Sequence, residues 1–166
     1  MIRPLKTTDA KALIELHQAV DASGWMLFEP GERQVTLEQQ QQMIERLTGD
    51  EKSTFLVAEI DGRLAGFIAA LGNHLTRNQH AAYLVLGVRE EYRGQGIATA
   101  LLEQIFAWAE TAAISRLELT VIKDNLNALH LYQKMGFAIE GEKIHSLMID
   151  GQPVNEYYLY RLLDTQ

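Results

Sequence analysis

Residues 88–110, VREEYRGQGIATALLEQIFAWAE, constrain the fold more than any other stretch of the chain. The apolar run AAYLVLGV (81–88) leads into them and reads as a strand. Ile97, Leu101, Leu102, Ile105 and Ala109 then recur at helical spacing, which predicts a long helix over 94–111. Arg93, Gly94 and Gly96 stand between strand and helix. The first N–H groups of a helix have no acceptor within it, and the macrodipole is positive at that end. Glycines let a bulky anion approach the backbone closely. A glycine-rich strand-to-helix turn is therefore a phosphate cradle, and Arg93 can add charge-assisted hydrogen bonds.

Around this unit the pattern is regular. Ile2 to Leu5 reads as a short strand, and Thr8 is placed to cap a helix running to about Val20 through Leu13, Ile14 and Leu16. Residues 21–35, DASGWMLFEPGERQV, form a loop. Thr36 and Gln39 have capping-box spacing, and Leu37, Ile44 and Leu47 predict a helix over 37–47 that stops at Gly49. Asp61-Gly62 and Asp150-Gly151 each sit between apolar runs and signal type I′ hairpins. RLELTVI (116–122) alternates as a strand should, with Leu117, Leu119 and Val121 on one face. Residues 125–135 read as a helix that ends at Gly136. The order β-α-α-β-β-β-α-β-α-β-β predicts a mixed α/β (α+β) fold with a central, mostly antiparallel sheet of six to seven strands and helices on both faces. The strand–helix–strand unit from 81 to 122 is expected to cross over right-handed.

Composition narrows the function. At 166 residues the chain is sized for a single domain, 1–166. A formal net charge of −7 argues against a nucleic-acid partner, which needs a basic stripe. No apolar stretch is long enough to span a membrane, and the N-terminus has no signal-like apolar region. The chain has no cysteine, which fits a cytoplasmic protein and rules out disulfides and thiolate metal sites. His17, His74, His130 and His145 show no metal-ligand spacing, so no metal is expected.

Two common phosphate motifs fail here. The G-x-x-x-x-G-K-[ST] loop is absent, and the dinucleotide fingerprint would need Gly or Ala where Thr99 stands. The pattern [Q/R]-x-x-G-x-[G/A] does fit, through Arg93, Gly96 and Ala98. Downstream, KDNLNALHLYQKMGF (123–137) places Asn125 and Tyr132 on one helical face and matches N-x-x-A-x-x-x-Y-x-x-x-G-F at Asn125, Ala128, Tyr132, Gly136 and Phe137. Together these motifs resemble those of the GNAT superfamily of acyl-CoA N-acyltransferases, and the resemblance spans nearly the whole chain.

That resemblance implies a cofactor, a site and a reaction. Acetyl-CoA would be the donor cosubstrate. Leu86, Gly87 and Val88 would pair with its pantetheine arm on a strand splayed from its neighbour. The amides of Arg93, Gly94, Gln95, Gly96, Ile97, Ala98 and Thr99 would hold the pyrophosphate. Asn125, with Ala128 beside it, would contact the pantetheine or fix the local geometry, and Tyr132 would serve as general acid toward the thioester sulfur. The acetyl group would pass directly to a primary amine of a small molecule or protein N-terminus, in a ternary complex.

Such an amine is mostly protonated, with a pKa near ~10, so a base or a water chain must take its proton. Glu29 is one candidate, as base or acceptor contact. His80 and Tyr83 are others. The oxyanion needs a donor, for which a backbone N–H near Val88 is suited. Residues 21–35, the end of the 63–73 strand and the final hairpin, with Trp25, Phe28, Tyr157 and Tyr158, are expected to form the acceptor pocket. A homodimer is expected from similar proteins. Two alternatives are a non-catalytic acyl-CoA sensing module, which would not need Tyr132, and a dinucleotide oxidoreductase, which the early hairpin at Asp61-Gly62 disfavours.

Overall fold

The computed structural model describes residues 1–164. Its strands are β1 (Ile2–Pro4), β2 (Thr54–Ile60), β3 (Arg63–Gly72), β4 (Ala81–Val88), β5 (Arg116–Ile122), β6 (Ala138–Ile149) and β7 (Gln152–Leu162). Its helices are α1 (Ala10–Asp21), α2 (Leu37–Thr48), α3 (Ile97–Thr111) and α4 (Leu126–Lys134). The element order agrees with the sequence reading, apart from short 3-10 turns at Thr7–Asp9 and Glu90–Tyr92. The strands form one seven-stranded sheet in the order β1-β2-β3-β4-β5-β7-β6. Every neighbouring pair is antiparallel except β4–β5.

Alternation along the central strands divides the apolar residues between two faces. Leu56 and Ala58 of β2 with Ile68 and Ala70 of β3 meet Leu101, Leu102, Ile105 and Ala109 of α3 and Tyr132 of α4. Phe55, Val57, Phe67 and Ala69 meet Leu13, Leu16 and Val20 of α1 and Ile44 of α2 on the other side. Both hairpin turns take the expected form: Asp61 and Gly62 have φ of 52° and 78°, and Asp150 and Gly151 have 52° and 75°.

Three boundaries differ from the sequence reading. Thr8 does not cap α1; it lies inside the 3-10 turn, where Asp9 accepts from the Lys6 N–H at 2.8 Å. The first strand stops at Pro4. The long helix begins at Ile97 rather than residue 94, because Gly94 and Gly96 have φ of 74° and 80°, left-handed values a right-handed helix cannot contain. Thr36 and Gln39 do form the capping box of α2.

Under α1, His17 is 6 % exposed and packs edge-on against Phe67, with ring centroids 4.9 Å apart. Burial, reinforced by the charge of Arg33, pulls its pKa down to about 4, while Asp21 opposes the shift. The unfolded chain therefore takes up this proton first. The stability His17 allows is complete above pH 6.5 and is lost as pH falls through 4, by up to about 3 kcal/mol. Urea unfolding at pH 7 and pH 4.5 should show a smaller acid loss for His17→Gln than for the wild type. At Gly87, an added Cβ would lie 2.6 Å from Val20 Cγ1 and 2.7 Å from Phe67 Cε1. Gly87→Ala should therefore lower unfolding free energy by about 1–3 kcal/mol in the same assay.

Candidate active site

β4 and β5 pair in parallel only at Ala81↔Arg116, Ala82↔Leu117 and Tyr83↔Glu118, although both strands run on. Beyond Tyr83 they part. On its other side β4 stays paired with β3 through Gly66↔Val88, and the Arg89 N–H donates to Ala65 O at 2.8 Å. Backbone groups alternate in direction along an antiparallel ladder. The N–H and C=O groups of Leu86 and Val88 therefore point away from β3, into the gap where β5 no longer meets them. These groups are free to bond an extended chain laid along β4.

The gap opens into a cavity of about 510 Å³ lined from both faces of the sheet. Leu86, Gly87 and Val88 form its β4 wall. Arg93, Gly94, Gly96, Ile97, Ala98 and Thr99 form one end, and Asn125, Ala128 and Tyr132 another side. Twelve of the thirteen residues expected to contact the cofactor thus share one cavity; Gln95 does not line it. Trp25 lines it, with Val20, Ser23 and Met26 beside it. Glu29, His80, Tyr83, Phe28, Tyr157 and Tyr158 are not among its lining residues. His80 stands at the far end of β4 from the glycine loop, where its carbonyl accepts from Ser115 and Arg116. Glu29 is exposed in the 22–36 loop.

The glycine loop presents its donors inward. The first N–H of α3 with a backbone acceptor is that of Ala100, which donates to Gly96 O at 3.0 Å. Among the described residues, the N–H groups of Gly94 through Thr99 have no backbone acceptor. Nothing lies within 4 Å of where a Cβ would stand on Gly94 or Gly96, so both glycines face open space. Arg93 is the only charged side chain in the lining.

Asn125 caps α4: its Oδ1 accepts from the Ala128 N–H at 3.3 Å. The residue therefore sets the helix that carries Tyr132 while also facing the cavity. Tyr132 is 8 % exposed and packs edge-on against Phe137, with centroids 5.7 Å apart. Burial, with a smaller contribution from Tyr83, pushes its pKa well above the ordinary tyrosine value. It is thus a neutral proton donor at physiological pH. At the point where the strands part, the Tyr83 hydroxyl bonds Thr120 Oγ1 at 2.8 Å.

Sequence reasoning did not single out Val20, Ser23, Met26, Tyr92, Asn127 or Leu131 as lining residues. The last two were accessible from helical geometry, since Asn127 and Leu131 are four residues apart on the turns that carry Asn125 and Tyr132. Among the described residues, no three His, Cys, Asp or Glu side chains come together as a metal site, and no helix is long and apolar enough to cross a membrane.

The chain is similar to several proteins named as acetyltransferases. It is 30% identical over 153 residues to the spermidine N(1)-acetyltransferase of Escherichia coli K12, covering 91% of this chain and 79% of that one. It is 29% identical over 163 residues to the L-amino acid N-acetyltransferase AaaT of the same organism, covering 98% and 97%. A crystal structure of a GNAT-family acetyltransferase from Streptococcus pneumoniae superposes with a TM-score of 0.94 at 27% identity, covering 98% and 99%. The sequence profile of the acetyltransferase (GNAT) family matches residues 18–137, a span that contains the splayed strand, the glycine loop and the helix of Tyr132. The chain belongs to the GNAT family and is an acetyl-CoA-dependent N-acetyltransferase.

Proposed function

We propose that residues 1–166 act as one domain that passes the acetyl group of acetyl-CoA directly to a primary amine of a small molecule or protein N-terminus, both substrates being bound at once. The observation that carries this reading is the parting of β4 and β5 after Tyr83↔Glu118, beside a loop of unpaired N–H groups. The pantetheine arm lies along Leu86–Val88 as an added strand, and the amides of Gly94 to Thr99, with the Arg93 guanidinium, receive the pyrophosphate; the Arg93 N–H, expected from the sequence to join them, instead donates to Glu90 O at 3.2 Å. Asn125 and Ala128 shape the wall opposite.

The amine nitrogen attacks the thioester carbonyl carbon. Negative charge builds on the carbonyl oxygen, facing the Val88 N–H. The carbon–sulfur bond then breaks, and Tyr132 gives its proton to the departing sulfur. That thiol has an ordinary pKa of about 8.5, so protonation eases its departure. The amine's own proton leaves through water to solvent, from which Tyr132 later regains the proton it gave; Tyr83, bonded to Thr120 outside the cavity lining, has no direct part. Glu29 and His80, outside the lining, have no direct part in this scheme.

The acceptor approaches from the side of Val20, Trp25 and Met26. Spermidine and L-amino acids, named for the two relatives, are both amines of the required kind. A cytoplasmic location and the lack of a nucleic-acid or membrane partner are supported by the acidic, cysteine-free composition. A homodimer is supported by the exposed Ile139, Ile144 and Met148 of β6 and Tyr158 of β7. The sensing-module alternative is disfavoured by Tyr132, whose place in the cavity wall serves chemistry rather than binding.

Calorimetry with acetyl-CoA, followed by thiol release against a panel of amines, tests the whole reading; no binding would sink it. Gly96→Ala places a side chain at φ 80°, which costs about 1–2 kcal/mol of stability and crowds the cradle. Its acetyl-CoA Kd should rise at least about tenfold. Tyr132→Phe should keep the acetyl-CoA Kd within about twofold while kcat falls by about 10². An unchanged single-turnover rate would remove Tyr132 from the acid role.

A further inference from the structure

The loop from 22 to 36 leaves the end of α1 and returns at the cap of α2. Ser23, Trp25 and Met26 on its outgoing limb line the cavity beside Val20. Arg33 on the returning limb reaches back to α1. Its Nε donates to Asp21 Oδ2 at 2.8 Å and its Nη2 to Asp21 Oδ1 at 3.2 Å. Asp21 is 1 % exposed, so a buried carboxylate has both oxygens engaged by one guanidinium. The same guanidinium lies 4.2 Å from the centre of the Phe28 ring. Arg33 therefore holds three points of the loop's path: its root, its middle and its return.

Apart from Ser23, the wall held in this way is apolar. None of the cavity's lining residues is acidic. Glu29 and Glu32 belong to the same loop, but both are exposed, and Glu32 Oε1 accepts from the Glu29 N–H. Asp21 is next in sequence to the lining residue Val20, but its charge is already neutralised. A second ammonium group brought to this wall would be desolvated without a counter-charge. An alkyl or aromatic body would bury against Trp25 and Met26 at a gain.

We propose that Arg33 is a positioning residue that sets acceptor choice: by clamping Asp21 it keeps Trp25 and Met26 on the wall and removes the local negative charge, so the site prefers a primary amine with an apolar body over a polyamine. This rests on the acetyl-transfer reading above. The clamp also implies its own reversal. Removing the guanidinium loosens the wall and frees a carboxylate beside it, which favours an acceptor with a second positive charge.

The test compares 2-phenylethylamine with spermidine in steady-state kinetics on the wild type, Arg33→Met and Arg33→Met/Asp21→Asn, with acetyl-CoA affinity measured in each. The wild type should favour phenylethylamine in kcat/KM by at least about tenfold. Arg33→Met should raise the phenylethylamine KM about tenfold, with acetyl-CoA Kd within about twofold, and shift the preference ratio toward spermidine. Adding Asp21→Asn should cancel that shift, a result that simple loosening of the loop would not give. If Arg33→Met does not fold by circular dichroism, the neutral double variant decides: a raised phenylethylamine KM supports the clamp, and an unchanged KM overturns it. A wild type that turns over but prefers spermidine, or an Arg33→Met enzyme that loses both amines equally, overturns the clamp alone. A wild type that binds no acetyl-CoA overturns the acetyl-transfer reading and the clamp together.

Discussion

The parting of β4 from β5 is the constraint on which the rest of the molecule depends. A parallel pair of strands normally stays hydrogen-bonded along its length, because unmet N–H and C=O groups in a protected place are costly. Here pairing stops at Tyr83↔Glu118, with much of both strands still to run. The unmet groups of Leu86 and Val88 leave one edge of β4 open to an added extended chain. The glycine loop follows directly because β4 ends there. In the proposed binding mode, the strand that offers backbone to the pantetheine also delivers the chain to the phosphate cradle, so one stretch of chain sets the spacing of both sites.

Such a gap weakens the middle of the sheet, and the fold compensates through packing on one face. Leu56, Ile68, Ala82 and Leu84 from the β1–β4 half share a single core with Leu117, Leu119, Val121 and Leu159 from the β5–β7–β6 half. Leu101, Leu102 and Ile105 of α3 belong to that core as well. The core on the opposite face draws on α1, α2 and the strands up to β4, with no residue from β5, β6 or β7. The two half-sheets are therefore held together chiefly by helix packing on the side of α3 and α4. The helix whose N-terminus makes the cradle is also the one that spans the gap, which fixes the cradle to both walls.

Much of this was legible in the sequence because the features are local. Asp-Gly between apolar runs demands positive φ at both turn residues, and both hairpins follow. Thr36 and Gln39 satisfy each other within one turn, and the α3 stripe repeats every turn. Failures came where a second partner is distant in sequence. Thr8 has the chemistry of a cap, but Asp9, anchored by Arg3 at 2.8 Å, takes the turn instead. Strand propensity marks where β4 and β5 run, not how far they pair, so the extent of the gap needed coordinates. The 22–36 loop reads as an aromatic loop, but its order comes from Arg33 meeting Asp21 twelve residues earlier, which no local pattern announces. Gly94 and Gly96 shortened the predicted helix for a related reason: apolar spacing marks the face of a helix and is blind to a backbone that must first turn left.

The acidic body and the basic loop divide the electrostatic work by distance. Acetyl-CoA is an anion, and a chain of net charge −7 repels it weakly from afar. Beyond about 8–10 Å, salt screens most of that repulsion. Within hydrogen-bonding range, in the proposed binding mode, the unpaired amides of Gly94 to Thr99 act at full strength because the backbone already holds them, and the exposed Arg93 side chain adds its charge. The acceptor arrives as an ammonium, drawn by the same long-range field. It must then lose its proton in a cavity whose lining offers no carboxylate to hold the charge. That lack is useful: an unpaired ammonium is destabilised there, which lowers its pKa and favours the neutral amine that attacks. The Tyr132 pKa responds to burial in the opposite sense: it is pushed up, so the hydroxyl stays protonated, as the proposed acid role requires. In the proposed reaction, one cavity thus serves both proton transfers: its lining gives the ammonium no counter-charge, and burial keeps Tyr132 from losing its proton early.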